Sequence, residues 1–253
     1  MSGTESYKNV YNDDFFAYTS GISWKSAQRV VPVFRELLPF CQSVADFGCA
    51  EGVWLKCWMR NGVEDVVGVD GDYIDKNALH IPKEKFFAFN LDEAVDLGRR
   101  FDVVCSLEVA EHLSPECSRQ FVQSLTRHSD IVIFSAAPPG QGGEFHMNER
   151  EYDEWRGFFL EEGYEAYDCI RPKLQSFQDV SFWYRYNIVL YVRKDKADQL
   201  SELIKTTKVG VDAKILDVAP PIFKLRKFIV KFIPYTLQNK LAALKSKLRS
   251  IVG

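Results

Sequence analysis

From Ser43 onward, short apolar runs alternate with stretches whose apolar positions recur at helical spacing. SVADFG (43–48) reads as a strand closed by a small-residue turn, and VWLKCWMRNG (53–62) as a helix stopped by Gly62. DVVGVD (65–70), KFFAFN (85–90) and FDVVCSLE (101–108) read as three more strands. SRQFVQSLTRH (118–128) predicts a helix, DIVIFSA (130–136) a fifth strand, and EYDEWRGFFLEEGY (151–164) a helix ended at Gly163. YEAYDCI (164–170) and YNIVLYVRK (186–194) are expected to pair as the last two strands. Upstream, SAQRVVPVFRELL has helical spacing and should cap the sheet. The alternation specifies an α/β fold with a doubly wound, mostly parallel sheet of seven strands covered on both faces. The expected organisation is a main domain over 1–194, a linker or helix over 195–220 and a tail over 221–253.

Composition narrows the class. With 46% hydrophobic and 26% charged residues in 253, a disordered or collagen-like chain is excluded. The six cysteines form no CxxC pair, and are expected as reduced thiols of a cytosolic protein, several on core strands. The opening MSGTESYKNVYNDD lacks a basic-then-apolar leader pattern, and no apolar run reaches the ~20 residues of a membrane span. The net charge of −3 conceals an asymmetry: eight basic residues and no acidic ones follow Asp217, leaving 24 basic against 35 acidic residues before that boundary, a net of −11.

The first strand ends in Asp46-Phe47-Gly48-Cys49-Ala50-Glu51-Gly52, and the second in Asp70, 22 residues beyond Gly48. Glycines at 48 and 52 let the backbone turn sharply against a ligand, while the next helix offers N-terminal amides. An acid closing the second strand suits a ribose diol. A dinucleotide dehydrogenase would want GxGxxG, and the spacing here is GxxxG.

VADFGCAEGVWL resembles the DxGxGxG signature of class I S-adenosylmethionine-dependent methyltransferases, VVGVD their second-strand acid, and FDVVCSLEVAEHL their fourth-strand motif. The resemblance spans roughly residues 25–194. It departs at Ala50, where the family usually has glycine, and at Asn90, where an aspartate commonly meets the adenine amino group. It implies a Rossmann-like fold with S-adenosylmethionine held by Asp46, Gly48, Ala50 and Gly52 on the methionine side and Asp70 on the ribose. Asn90 and Leu91 would meet the adenine edge, and Leu107 joins the cofactor set.

Glu108, Glu111 and His112 stand at i, i+3 and i+4 just past the fourth strand, positions that share one face of a helical turn. His146, in PPGQGGEFHMNE after the fifth strand, should lie nearby, because the carboxyl ends of neighbouring strands converge. Two carboxylates and two imidazoles suit Mg²⁺, Mn²⁺ or Zn²⁺. EVAEH with a later histidine resembles the metal-dependent O-methyltransferases of small-RNA 3′ ends and of the ubiquinone pathway, which implies a metal on Glu108, Glu111, His112 and His146 that grips a diol. EVxEH also occurs in class I enzymes without metal, where the first Glu orients the cofactor and the His is a base or structural.

The 138–149 segment and WYRYN (183–187) resemble a bacterial methyltransferase subgroup with a GQGGxxHxNE loop, whose members often accompany polysaccharide synthesis. Asn148 and Glu149 are expected to bind acceptor hydroxyls or cap the helix near Glu151, capping being favoured for Glu149. Tyr152, Trp155, Trp183 and Tyr184 would stack on a sugar or fill the core, and His80 and His128 are expected at the surface.

In IFKLRKFIVKFI (222–233) the pattern puts Ile222, Leu225, Phe228, Ile229, Phe232 and Ile233 on one helical face and Lys224, Lys227 and Lys231 opposite. Leu237, Leu241, Leu244 and Leu248 form a second seam. A basic amphipathic helix carrying phenylalanines suits an anionic membrane surface better than single-stranded nucleic acid; packing on the body or in a helical dimer is the alternative. The sequence reading is therefore an O-methyltransferase acting on a sugar hydroxyl of a cell-surface glycan, cytoplasmic and peripheral on the inner membrane. Small-molecule or RNA-ribose methylation and a non-catalytic scaffold are the alternatives.

Overall fold

The computed structural model describes residues 13–233 and Leu237. Seven strands form one sheet in the order β3-β2-β1-β4-β5-β7-β6. They are β1 (Ser43–Phe47), β2 (Asp65–Asp70), β3 (Phe86–Ala88), β4 (Val103–Leu107), β5 (Ile131–Ser135), β6 (Tyr164–Tyr167) and β7 (Val189–Arg193). The first five pair in parallel, and β7 enters antiparallel between β5 and β6. The helices are α1 (Asp13–Leu37), α2 (Val53–Arg60), α3 (Ser118–His128), α4 (Tyr152–Glu161), α5 (Arg171–Leu174), α6 (Phe182–Asn187), α7 (Glu202–Lys205) and α8 (Pro221–Val230).

Both faces of the sheet are apolar because both are covered. Val44, Val66, Val103 and Ile133 join α1 and α2 in one core, with Phe34, Trp54, Leu55 and Trp58 as its bulk. Their strand neighbours Ala45, Val67, Val104 and Val132 point the other way, into a core with Phe121, Trp155 and Phe159 of α3 and α4. Continuous apolar strands are what a doubly covered parallel sheet requires. In the second core Phe159 stacks on Tyr191 at 3.9 Å between ring centroids. Tyr152, Trp155 and Tyr184 are buried as core residues, so they form no sugar platform. Of the six free cysteines only Cys105 lies in a strand; the others sit in α2, turns and loops.

Residues 195–220, expected as a linker or helix, include the short α7 and are packed onto the body. Leu200, Ile204, Ile215 and Ala219 are buried. Thr207 and Val209 bond the backbone of β6 and its following residue (Asp168 N to Thr207 O 3.0 Å, Val209 N to Ala166 O 2.9 Å), which covers that sheet edge. Two buried arginines hold the rest: Arg156 donates to Gly210 O (2.6 Å) and to Ala213 O, and Arg171 to Leu216 O (2.8 Å) while paired with Asp168. Buried guanidinium groups satisfied by carbonyls fix irregular chain that has no ladder of its own. His128, expected at the surface, is buried at the end of α3, where its Nε2 accepts from Leu97 N (2.9 Å). His80 is exposed beside Trp24, as expected. Among the described residues no helix is long and apolar enough to cross a membrane. The expected seam at Leu241, Leu244 and Leu248 lies outside the described residues.

Candidate active site

The carboxyl ends of β1, β2, β4 and β5 converge, and the predicted site residues gather there. Gly48 (φ 85°) and Gly52 (φ 79°) adopt the left-handed conformation that glycine takes freely, and so does Ala50 (φ 46°). That explains why alanine at 50 departs from a glycine pattern at some cost. The strained turn is held by Asp70, whose Oδ2 accepts from Ala50 N (2.7 Å) and whose Oδ1 accepts from Gly71 N (2.7 Å) and the Tyr73 hydroxyl (2.6 Å). The helix α2 that follows begins at Gly52 without a side-chain cap and without an acid in its first turn. Its first amides therefore face the turn as donors.

At Gly48 a side chain has no room, because an added Cβ would lie 2.6 Å from Val109 Cγ1 and closer still to Cγ2. Gly48→Ala should accordingly lose about 2–4 kcal/mol, from the clash and the left-handed φ together. Thermal melts will check this, with partial recovery expected when Val109→Ala is added; equal melting of the single variant and the wild type would contradict the geometry.

Asp46 is buried beside Asp70. Desolvation first, then the Asp70 charge, push its carboxyl from the usual 3.8 up to about 8, and burial also raises Asp70. Two acids thus lie starved of water near the ends of adjacent strands.

The second cluster follows β4. Glu108 sits at φ 57°, which rotates it out of the expected helical turn, and Ala110–His112 form a single 3-10 turn. Glu111, His112 and His146 each offer a ligand atom within 4.8 Å of one another. Glu108 is not part of that trio. Its oxygens accept from Gln141 Nε2 (2.7 Å) and Asn187 Nδ2 (3.0 Å), and Asn187 also reaches Gln141 Oε1 (2.8 Å) and accepts from the Tyr152 hydroxyl (2.8 Å). His146 is delivered by its loop: Met147 N and Asn148 N both donate to Glu111 O (2.8 and 3.0 Å), pinning the segment against the 3-10 turn. Glu111 is fully buried, and its carboxyl lies close to Glu108 and to the Ala137 backbone without a well-formed hydrogen bond at either oxygen. Burial, and then the nearby Glu108 charge, hold its carboxyl well above the usual range. Burial and the neighbouring His146 lower His112 to about 3, so its imidazole is neutral at physiological pH.

Two expectations in this loop are corrected. Glu149 caps no helix: it accepts from Gly140 N (2.7 Å), Gly142 N (2.8 Å) and His146 Nδ1 (2.9 Å), while the cap of α4 is the reciprocal pair Glu151 and Glu154. Asn148 is buried and donates to Ala110 O (3.2 Å) and Ser118 Oγ (2.9 Å), so it serves the loop and not an acceptor. Asn90 closes its own turn, accepting from Asp92 N (3.1 Å) and donating to Glu93 (3.1 Å); it is exposed next to buried Leu91, and Leu107 is buried at the end of β4. Sequence reading missed Gln141, Asn187 and Tyr73. Only the motifs around the first two, GQGG and WYRYN, drew notice.

The strand order, with a lone antiparallel β7 and a glycine turn after β1, defines a Rossmann-like methyltransferase fold. The chain belongs to the methyltransferase-domain family, whose model matches residues 25–167, and it is an S-adenosylmethionine-dependent methyltransferase. Among solved structures it is similar to the sugar N-methyltransferase KedS8 of a Streptoalloteichus species (18% identity, TM-score 0.55, covering 73% of this chain and 96% of that one). DesVI of Streptomyces venezuelae (15%, 0.53, covering 74% and 98%) and the magnesium protoporphyrin IX methyltransferase ChlM of Synechocystis with bound SAM (18%, 0.54, covering 76% and 98%) are also similar. At these identities the likeness establishes the fold. A search of curated protein sequences returned no match.

Proposed function

We propose that the protein is a metal-assisted O-methyltransferase whose acceptor carries neighbouring hydroxyls, a sugar of a cell-surface glycan being the preferred class. The observation that carries this reading is the trio Glu111, His112 and His146 around a fully buried carboxyl that makes no well-formed hydrogen bond. Burial makes ionising this carboxyl costly, and a coordinated cation offsets that cost. The donor set of one carboxylate and two imidazoles, one of them held neutral, fits Mn²⁺ or Zn²⁺ better than the all-oxygen shell Mg²⁺ prefers. Glu149, bonded to His146 Nδ1, fixes that ring as second-layer carboxylates commonly do for metal-binding histidines. A cation held there would polarise an acceptor hydroxyl and lower its pKa. Glu108, aimed by Gln141 and Asn187, borders the trio and is placed to accept the proton.

The cofactor supplies an electrophilic methyl group on a sulfonium. Asp46 would pair with its ammonium, Asp70 would accept from the ribose hydroxyls, and the first amides of α2 would meet its carboxylate. The Tyr73 hydroxyl, on Asp70 Oδ1, takes one of the places a diol would use, so Tyr73 yields or shares on binding. The acid pair has a measurable signature. With Asp46 at about 8 in the ligand-free protein, a bound cation should expel its proton. Affinity for S-adenosylmethionine should thus rise from pH 6 towards 8, with protons released, read by calorimetry in buffers of different ionisation heat. Stability of the ligand-free protein runs the opposite way: the folded state keeps a proton that the unfolded chain loses above about 4, so Asp46 contributes less as pH rises through about 8.

The deciding experiment incubates purified protein and label-bearing S-adenosylmethionine with glycan, lipid and RNA fractions, with and without chelator. Label entering a glycan, lost on chelation and restored by Mn²⁺ or Zn²⁺, supports the reading. Transfer untouched by chelation overturns the metal, and label in RNA alone overturns the glycan.

A further inference from the structure

The helix α8 touches the body through one face. Phe223 stacks on Phe182 at 4.9 Å, Lys227 pairs with Asp217, and Arg226 Nη1 donates to Gln141 O at 2.7 Å. The backbone of α8 comes so close to the glycine loop that a Cβ at Gly140 (φ 82°) would collide with the Lys227 carbonyl. Each residue of GQGG then has a part. Gly140 admits the helix, Gln141 aims Glu108, the Gly142 amide meets Glu149, and Gly143 leaves room for the His146 ring. Lys227 lies opposite the apolar stripe, as its spacing implies, and there it faces the body and pairs with Asp217.

The outward face is apolar. Ile222 (69% exposed), Leu225 (55%), Phe228 (63%), Ile229 (54%) and Phe232 (72%) stand in solvent. At ~100° per residue they fill one arc of about 120°, edged on one side by the exposed Lys224 and Lys231. Four more bases and no acid follow in the sequence, at Lys240, Lys245, Lys247 and Arg249. An apolar stripe edged by lysines, with four more bases following it, is complementary to anionic headgroups over acyl chains.

We propose that α8 couples an anionic bilayer surface to the active site: its outer stripe seats in the interface while its inner face clamps the 140–142 loop that positions Glu108. Arg226 is a positioning residue in this scheme. The surface rests on α8 alone, and only its bearing on methyl transfer rests on the role given above to Glu108.

The test uses the full chain and vesicles of phosphatidylcholine mixed with phosphatidylglycerol, against phosphatidylcholine alone. Sedimentation with the anionic vesicles should exceed that with neutral ones, and Ile229→Asp with Phe232→Asp should cut it on the order of tenfold or more. Those side chains are exposed, so folding is expected to survive, and a thermal melt verifies it. Amide hydrogen exchange at Gly140 and Gly142 should slow when anionic vesicles are added, and should quicken about tenfold in Arg226→Met, whose vesicle binding persists. The proposal is overturned if the double variant sediments like the wild type. It is overturned equally if the stripe proves to be a dimer seam that the variant dissolves without any vesicle binding in the parent. Exchange indifferent to both vesicles and Arg226→Met removes the coupling. Calorimetry for S-adenosylmethionine runs alongside; its failure would sink the enzymatic reading while leaving the vesicle result standing.

Discussion

Asp70→Asn should weaken S-adenosylmethionine binding by about 30- to 100-fold, the equivalent of roughly 2–3 kcal/mol for charge-assisted hydrogen bonds. Asp70 carries two loads. It presents a carboxylate where a ribose is expected, and it holds the left-handed Ala50 and the Gly71 amide in place. The asparagine variant loses the charge and keeps one oxygen, which can accept from one of the two amides. Asp70→Ala orphans both amides, so it should also lower stability by about 1–3 kcal/mol per buried donor. Calorimetry and melts on the two variants separate the loads: a ligand defect shared by both, and a stability defect larger in alanine, which orphans both amides where asparagine orphans one. If asparagine bound the cofactor as tightly as wild type, the ribose assignment would fall.

The fold was readable because its signals are local. Each parallel strand is a short apolar run closed by a turn, and α3 was delimited from periodicity to the residue, Ser118–His128. Errors fell where distant chain decides the outcome. β3 shrank to three residues and β7 lost its first three expected residues, two of them to α6, which a run of aromatics had disguised as strand. Residues 195–220 read as linker or helix by composition, and partners far upstream make them part of the body, among them the guanidinium groups of Arg156 and Arg171, 54 and 45 residues before the Gly210 and Leu216 carbonyls they reach.

The same division runs through the site. Gly48, Gly52 and Asp70 could be placed because a strand, a turn and the next strand position them within one βαβ unit. Glu111, His112 and His146 come together as their spacing and strand order imply, whereas Glu108 swings away because of a single left-handed residue that the sequence does not announce. Glu149 and Asn148 look interchangeable on paper. Their different fates follow from partners far along the chain, the 140–142 amides for one and Ala110 and Ser118 for the other. Gln141 was invisible for a related reason: its value lies in joining Glu108 to α8, three segments that meet only in the fold.

Glu111→Leu should separate stability from activity with opposite signs. In wild type a fully buried carboxyl stands without a well-formed hydrogen bond at either oxygen, a cost of about 1–3 kcal/mol that an apolar side chain of similar size removes. The metal-free variant should therefore melt higher, by several degrees for a chain of this length. The gap should widen as pH rises, because the wild-type carboxyl is held well above its usual range and its ionisation penalises the folded state alone. Methyl transfer should fall by about 10³-fold or more, since polarisation of the acceptor by a cation contributes several kcal/mol to the transition state. Cation binding, followed by calorimetry with Mn²⁺ and Zn²⁺, should be lost in parallel. A merely structural glutamate would behave otherwise, since its removal would lower the melting temperature and leave cation binding untouched. A destabilised variant that still binds the cation would remove Glu111 from the site, leaving His112 and His146 too few to hold a metal.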